Sequence, residues 1–461
     1  MHRLIERLRE HITVEPVILL YMMGIFILNP SYQQLIITKV CNEQYAGTEV
    51  CRNQENYKDD KEIQERSSII LLIFTATLSL VSIPPAILLG SWSDRAGRKL
   101  GMLLPNALSL IGGGILITIS QVEGVNVYWS LAASFVVGLS GGHVSILLSC
   151  FSYLADISDS NNRTIRMGIA ESMIFIGGTF GVLLSGFLLQ SYDFIAAFGA
   201  YCGCQILSAL YVLLWLRNAK PPNISVCLPE ASSGAESNSD AQARHSILMY
   251  AKRTFRAVMK KRPGQEKQKL YLLILCLFLN NTIAIGDQAI LLLFLMYEPR
   301  DFTTELYGVF NSARMIISGI FLICIFPWLL RCIGEMTLAK ISIFVRGASY
   351  ILLAFSTNAW MVFLVAVLGA PSGIPQAVIR SKCSAVVEPD EQGAMFSFSA
   401  SVEASCILIG AVIFNGLYSL TLSSFPGMSF IVMAVFCFIM LIFLQWVTEL
   451  PATHPHFISQ D

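Results

Sequence analysis

The feature that most constrains this chain is the recurrence of long apolar runs. Along its 461 residues, stretches of about 20 or more mostly apolar residues fall at roughly 15–38, 67–91, 99–120, 127–154, 167–190, 194–217, 270–297, 305–330, 337–356, 359–379, 394–418 and 426–447. In lipid, every backbone polar group must find its partner within the protein, which leaves only helices or closed barrels. Barrel strands of about 10 residues with alternating polarity do not match runs this long and continuous. Only 13% of the residues are charged and 54% are hydrophobic, against roughly 25% charged in soluble domains. The expectation is an all-α membrane protein of 12 transmembrane helices in two six-helix halves. The formal net charge is 0, which argues against nucleic acid as a partner. The opening MHRLIERLRE is charged and runs into the first apolar stretch, the pattern of an uncleaved first helix.

Lysine and arginine collect on alternate loops, and such residues mark the cytoplasmic side. Arg3, Arg7, Arg9, Arg95, Arg98, Lys99, Arg163, Arg166, Arg331 and a basic central segment share one side. The loops QVEGVNVYW, QSYDF, STNAW and LSSFPG carry no Lys or Arg. This divides the chain into a cytoplasmic N-terminus (1–14), a first half (15–217) with an extracytoplasmic loop at 39–66, a cytoplasmic central loop (218–268), a second half (269–448) and a cytoplasmic tail (449–461). Within the central loop, PEASSGAESNSDAQARH has the small, polar composition of a disordered segment. RTFRAVMKKRPGQEKQK is basic and partly amphipathic, so it could rest on anionic lipid or simply enforce topology.

Between the second and third runs lies Gly90-Ser-Trp-Ser-Asp94-Arg95-Ala-Gly97-Arg98-Lys99. It resembles the signature loop of the major facilitator superfamily, and six plus six runs about a central linker is that fold's layout. Gly90 permits close helix packing and Gly97 suits a tight turn. Asp94 can accept hydrogen bonds at a helix N-terminus, and Arg98 can pair with acids of neighbouring helices.

A narrower resemblance is carried by Val14-Glu15-Pro16-Val17 with Pro30 and Gln34, by Ala155-Asp156-Ile157-Ser158 followed by Arg163-Thr164-Ile165-Arg166-Met167, and by Val378-Ile379-Arg380-Ser381-Lys382. Glu391-Gln392-Gly393-Ala394-Met395-Phe396-Ser397 and Asn415-Gly416-Leu417-Tyr418 complete it. Together these resemble the proton-coupled folate transporter family of solute carriers along nearly the whole chain. The resemblance implies symport of protons with small organic anions, with no cofactor beyond the coupling proton, at the plasma membrane or a lysosomal or endosomal membrane.

Charges inside spans are costly and are functional candidates by default. By resemblance, Glu171 in the fifth span is the proton-coupling carboxylate and Arg380 in the tenth is tied to substrate and coupling. A planar guanidinium suits carboxylate or phosphate recognition. Glu403 in the eleventh span is a second proton-site candidate, and His143, whose side-chain type titrates near pH 6.5, is a third. Asp287, Arg314 and Arg346 are candidates for lining the substrate pathway, with Asp287 and Arg314 read as a pair because an isolated buried charge is expensive. The plainer readings are structural ion pairs, interfacial snorkelling and polar packing between helices. The resemblance has two departures. Ser134 stands where the folate branch has an arginine, and Asp287 or Ala284 where it has a histidine; both argue against assuming folate as substrate.

Of the 12 cysteines, Cys41 and Cys51 share the first extracytoplasmic loop, where an oxidising compartment would favour a disulfide. The others read as apolar fillers, and no metal-ligand spacing is evident. No nucleotide-binding loop, HExxH pair or nucleophile motif points to an enzyme. A uniporter without proton coupling and a non-transporting receptor or scaffold remain as alternatives.

Overall fold

In a computed structural model of the chain, the apolar runs become helices that span a bilayer. The structure describes residues 12–45, 51, 61–122, 124–159, 162–216, 239–262, 264–297, 300, 302–422 and 424–451. Arg3, Arg7 and Arg9, residues 218–238 of the central loop and most of the tail lie outside the described residues, as do the loop residues flanking Cys51, whereas SDAQARH, the end of the stretch whose composition read as disordered, is helical. Among the described residues, eleven helices are long and apolar enough to cross a membrane, and a helix pair bent by 43°, Ala359–Leu368 with Ala370–Val386, makes a twelfth when counted as one span. In chain order the other spans are Glu15–Gln44, Glu65–Asp94, Arg98–Gln121, Val127–Ile157, Arg163–Ser191, Phe194–Leu214, Glu266–Met296, Leu306–Cys332, Glu335–Ala354, Pro389–Thr421 and Met428–Glu449.

Several spans are not simple rods. The fourth contains a turn at Leu139–Gly141 between the helices Ser130–Gly138 and Gly142–Ile157. The eighth carries one π-helical turn, Phe321–Ile325, just before Pro327. Proline removes a backbone donor and crowds the preceding turn, so the wider turn falls where the regular ladder is weakest. The first helix extends to Gln44, and Cys41 near its end is joined by a disulfide to Cys51.

The central segment departs from the sequence expectation. Ser239–Met259 is a helix, and its basic end docks on protein rather than lying free on lipid. Thr254 donates to the Ile87 carbonyl of span two at 2.8 Å, and Arg253 donates to the Asp390 carbonyl at the start of span eleven at 2.8 Å. Phe255 meets Phe398 edge to face, and Lys260 and Arg262 pair with Glu391 at 3.0 and 2.9 Å. The linker helix therefore touches both halves. Hydrogen bonds from Lys260 to Glu388 and then Glu391 hold the Lys260 ammonium above its ordinary pKa. With the folded value raised, that contribution is fully present below the ordinary lysine pKa and is lost as pH rises through the raised folded value.

The named contacts between the halves cluster on the linker side and reach about mid-span. Gly90 in span two lies so close to Gly393 in span eleven that a Cβ on either would overlap the other's backbone, and the Gly90 amide donates to Ser397 Oγ at 2.7 Å. Thr164 of span five bonds Glu335 of span nine and Ser381 of span ten at 2.5 and 2.6 Å, and Lys382 pairs with the same Glu335. Gly168 and Gly178 of span five pack on Phe326 and Met315 of span eight. A bulky residue at Gly90 should cost about 1–3 kcal/mol as overpacking and splay these ends. In Gly90→Leu, labelling of a Ser397→Cys thiol by a membrane-permeant maleimide, read at that residue by mass spectrometry, should accelerate several-fold, since Ser397 is fully buried. Equal labelling with and without Gly90→Leu would show that the two helix ends do not meet.

Candidate functional site

The loop between spans two and three is organised around one guanidinium. Arg98 pairs with Asp94 at 2.6 Å and with Asp156 of span four at 2.8 Å, and donates to Ser93 Oγ at 2.9 Å. Asp94 sits in the last turn of the helix Lys61–Ala96, so it accepts from Arg98 rather than capping a helix N-terminus as the sequence suggested. Gly97 has φ +95°, a conformation open to glycine, and this lets the chain reverse within one residue. The Asp94 and Arg98 side chains also abut Gly393, so the loop packs against span eleven of the other half. The backbone of Arg95 continues the helix; its side chain lies outside the described residues.

Deeper in the membrane, Arg380 of span ten joins the halves. It donates to Glu171 of span five at 2.5 Å and to Glu403 of span eleven at 3.1 Å. Its guanidinium lies 4.3 Å from the centroid of the Phe151 ring in span four. One side chain thus draws together four spans, two from each half. A buried charge is tolerable only when compensated and hydrogen-bonded, and here two carboxylates and an aromatic face do this. His143 is half-buried just after the turn in span four. Glu171 and Glu403, two of the three proton-site candidates, therefore meet on Arg380 although they are 232 positions apart.

A second polar cluster lies in the second half. Arg314 pairs with Asp287 at 2.6 Å, bringing spans seven and eight together as the sequence suggested. Arg314 lies mid-helix, ten residues after the start of Thr304–Ile320, rather than at the opening of the span. Arg346 of span nine donates to Asn280 at 2.7 Å and to the Tyr350 hydroxyl at 3.3 Å. Asn280 donates to Gln376 at 2.6 Å, and Gln376 to Asn281 at 3.2 Å. Gln376 and Arg380 are four residues apart on one helix, hence on the same face. Span ten therefore carries both clusters.

Asn280, Asn281, Gln376, Tyr350 and Phe151 were not picked out as site residues from the sequence. A signal existed for some of them: Asn280-Asn281-Thr282 places three polar residues in succession inside an apolar run, and such groups bond across helices. The glycosylation sequon at Asn280 is buried in this network. Ser134 is buried in span four and bonds only its own helix, to the Leu131 carbonyl.

Comparison with known proteins adds a family. Residues 16–411 match the family model of the Major Facilitator Superfamily. The lysosomal proton-coupled steroid conjugate and bile acid symporter SLC46A3 of Gallus gallus is 27% identical over 459 residues, covering 95% of this chain and 94% of that protein. The proton-coupled folate transporter of Rattus norvegicus is 27% identical over 453 residues, covering 96% and 93%. These relatives bear out the resemblance read from the motifs. Among solved structures, the human organic anion transporter MFSD10 (TETRAN) superposes with TM-score 0.73 at 17% identity, covering 94% of this chain and 98% of that one. The E. coli fucose:proton symporter FucP does so with TM-score 0.61 at 12% identity, covering 94% and 98%. At these identities the likeness is one of fold.

Removing Arg380 should expose the cost of the bridge. Arg380→Gln leaves two carboxylates without their cation, a loss of about 3–5 kcal/mol for a broken buried pair. The thermal unfolding midpoint of the detergent-purified protein should fall clearly. Adding Glu171→Gln to Arg380→Gln should restore part of the loss. An unchanged midpoint in the single variant would show that Arg380 is not held by these partners.

Proposed function

Because the chain belongs to the Major Facilitator Superfamily, we propose that it is a proton-coupled symporter of small organic anions that works by alternating access. The observation that carries this reading is the placement of Arg380 between Glu171 of one half and Glu403 of the other. With both carboxylates ionised, that trio has one negative charge in excess, and an incoming anion is repelled. A proton on either carboxylate removes the excess and frees part of the Arg380 fork. The guanidinium can then turn to an anionic solute, which its planar donors suit.

The coupling follows from geometry. The trio straddles the interface between the halves, so its charge state bears on both solute binding and the rocking of one half against the other. Contacts on the linker side describe a state closed on that side, consistent with solute and proton entering from the opposite face. Loss of the proton on the linker side would restore the Arg380 bridge and expel the anion. The names of the relatives, proton-coupled symporters of folate and of steroid conjugates and bile acids, support this reading. No cofactor beyond the proton is required. The positive-inside pattern puts the linker side in the cytoplasm, and a plasma membrane or an acidic lysosomal or endosomal membrane would supply the proton gradient.

The test is uptake of radiolabelled folate and of a labelled bile acid conjugate by proteoliposomes, with and without an inward proton gradient. The wild type should show uptake of at least one of them, stimulated several-fold by the gradient and abolished by a protonophore. Glu171→Gln should lose the stimulation while keeping exchange of internal for external solute. Gradient-dependent uptake at full rate in Glu171→Gln would remove Glu171 from the coupling step. Uptake indifferent to the gradient in the wild type would make the protein a uniporter.

A further inference from the structure

Deep in the spans, away from their ends, the acidic and basic side chains form two groups of opposite character. The first is the Glu171–Arg380–Glu403 trio. The second is Asp287, Arg314 and Arg346. Asp287 pairs with Arg314, and Asn280, which accepts from Arg346, lies two turns before Asp287 on the same face of one helix. Arg346 also donates to the Tyr350 hydroxyl and lies 5.6 Å from that ring's centroid. Two carboxylates against one guanidinium leave the first group at −1. One carboxylate against two guanidiniums leaves the second at +1. Among the described residues, no carboxylate lies within ion-pair distance of Arg346, whose hydrogen bonds all go to the neutral acceptors Asn280 and Tyr350.

A cation buried on neutral partners alone is expensive unless an anion completes it. The first group's −1 offsets it only while both of its carboxylates are ionised. The second group is also unfinished as a hydrogen-bonding site. Oδ1 of Asp287 is buried without a partner, and an orphaned buried acceptor calls for a donor. The Arg314 side chain keeps 23% of its surface exposed.

We propose that the Asp287–Arg314–Arg346 cluster is the docking site for the transported anion, that it takes a solute with a single negative charge and a hydroxyl or amide donor directed at Asp287 Oδ1, and that one proton accompanies each solute. The proposal rests on the proton-coupled reading above and sharpens it. The arithmetic is that of the buried charges: the two groups sum to zero when every carboxylate is ionised, one proton adds +1, and one monoanion returns the sum to zero. Transport is then electroneutral. A dianion such as folate would leave a buried −1 and carry charge across the membrane. In this assignment Arg380, once freed by the proton, draws the solute in as described above, and Arg346 sets how many charges the solute has.

The test uses the purified full chain in proteoliposomes with two probes, taurocholate and folate. Taurocholate carries one permanently ionised sulfonate and several hydroxyls, so its charge does not change with the applied pH gradient. Its gradient-driven uptake should be unchanged when a potassium diffusion potential of either sign is imposed with valinomycin. Arg346→Gln should raise its half-saturating concentration about tenfold or more, as expected for loss of a charge-assisted contact. Arg346→Lys, which keeps the charge, should stay close to wild type. Gradient-driven taurocholate uptake that responds several-fold to the imposed potential would overturn the one-to-one stoichiometry. An unchanged half-saturating concentration in Arg346→Gln would overturn the docking site. Proton-driven uptake of folate alone would leave the coupling reading standing and overturn the single-charge assignment. Absence of proton-driven uptake of either probe would overturn the coupling reading itself, and this proposal with it.

Discussion

The architecture depends on keeping a buried guanidinium compensated where the two halves meet. Arg380 cannot sit in a low-dielectric interior alone, and the carboxylates that hold it come one from each half, Glu171 and Glu403. That requirement ties span five to spans ten and eleven inside the bundle. Removing water raises the strength of the pairing and the cost of losing it together. A change in one proton at this point therefore alters the force between the halves, as well as the local charge. A solvated salt bridge, worth about 1 kcal/mol or less, could not do the same.

Around this centre the linker side is closed by several unlike interactions. Gly90 and Gly393 allow backbone-to-backbone contact between spans two and eleven. Arg98 gathers Asp94 and Asp156, and Thr164, Glu335, Ser381 and Lys382 form a second polar seam. The helix Ser239–Met259 then lies across the ends of both halves, held by Thr254, Arg253 and the Glu391 pairs that follow it. Each element is modest, and several are partly exposed. Such a surface can come apart without unfolding either half, as a rocking bundle requires. The same loop signature that suggested the fold thus acts as part of a closure.

The two halves differ in how their polarity is arranged. The first half's deep spans carry Glu171 and His143, with Glu15 and Arg98 buried nearer the span ends, and Tyr21 bonding Ser109 and Tyr32 bonding Ser130 at 3.1 Å each. The second half holds Asp287, Arg314, Arg346, Arg380 and Glu403, and the amide chain Asn280–Gln376–Asn281 links its spans seven and ten. The deep basic side chains are thereby concentrated on one side of the interface. The closing carboxylate comes from the other side.

By itself the sequence determined that the chain spans a membrane as helices, and roughly where. The reason is that apolar runs of this length have few other solutions when backbone groups must be satisfied without water. It also exposed the chemistry-bearing positions one at a time, because a charge inside an apolar run is conspicuous. Spans such as Lys61–Ala96 run past their predicted ends, since helices continue beyond the apolar stretch where nothing stops them. The basic central stretch was open between resting on anionic lipid and enforcing topology, and its docking on protein was not legible because amphipathicity specifies a face but not what covers it. Only the tertiary structure decided which charges meet. Glu171 and Arg380 are 209 positions apart, and Asn280 and Gln376 are 96 apart. No local pattern encodes such partners, because the pairing depends on how helices from separate halves pack and on which side of each helix then faces inward.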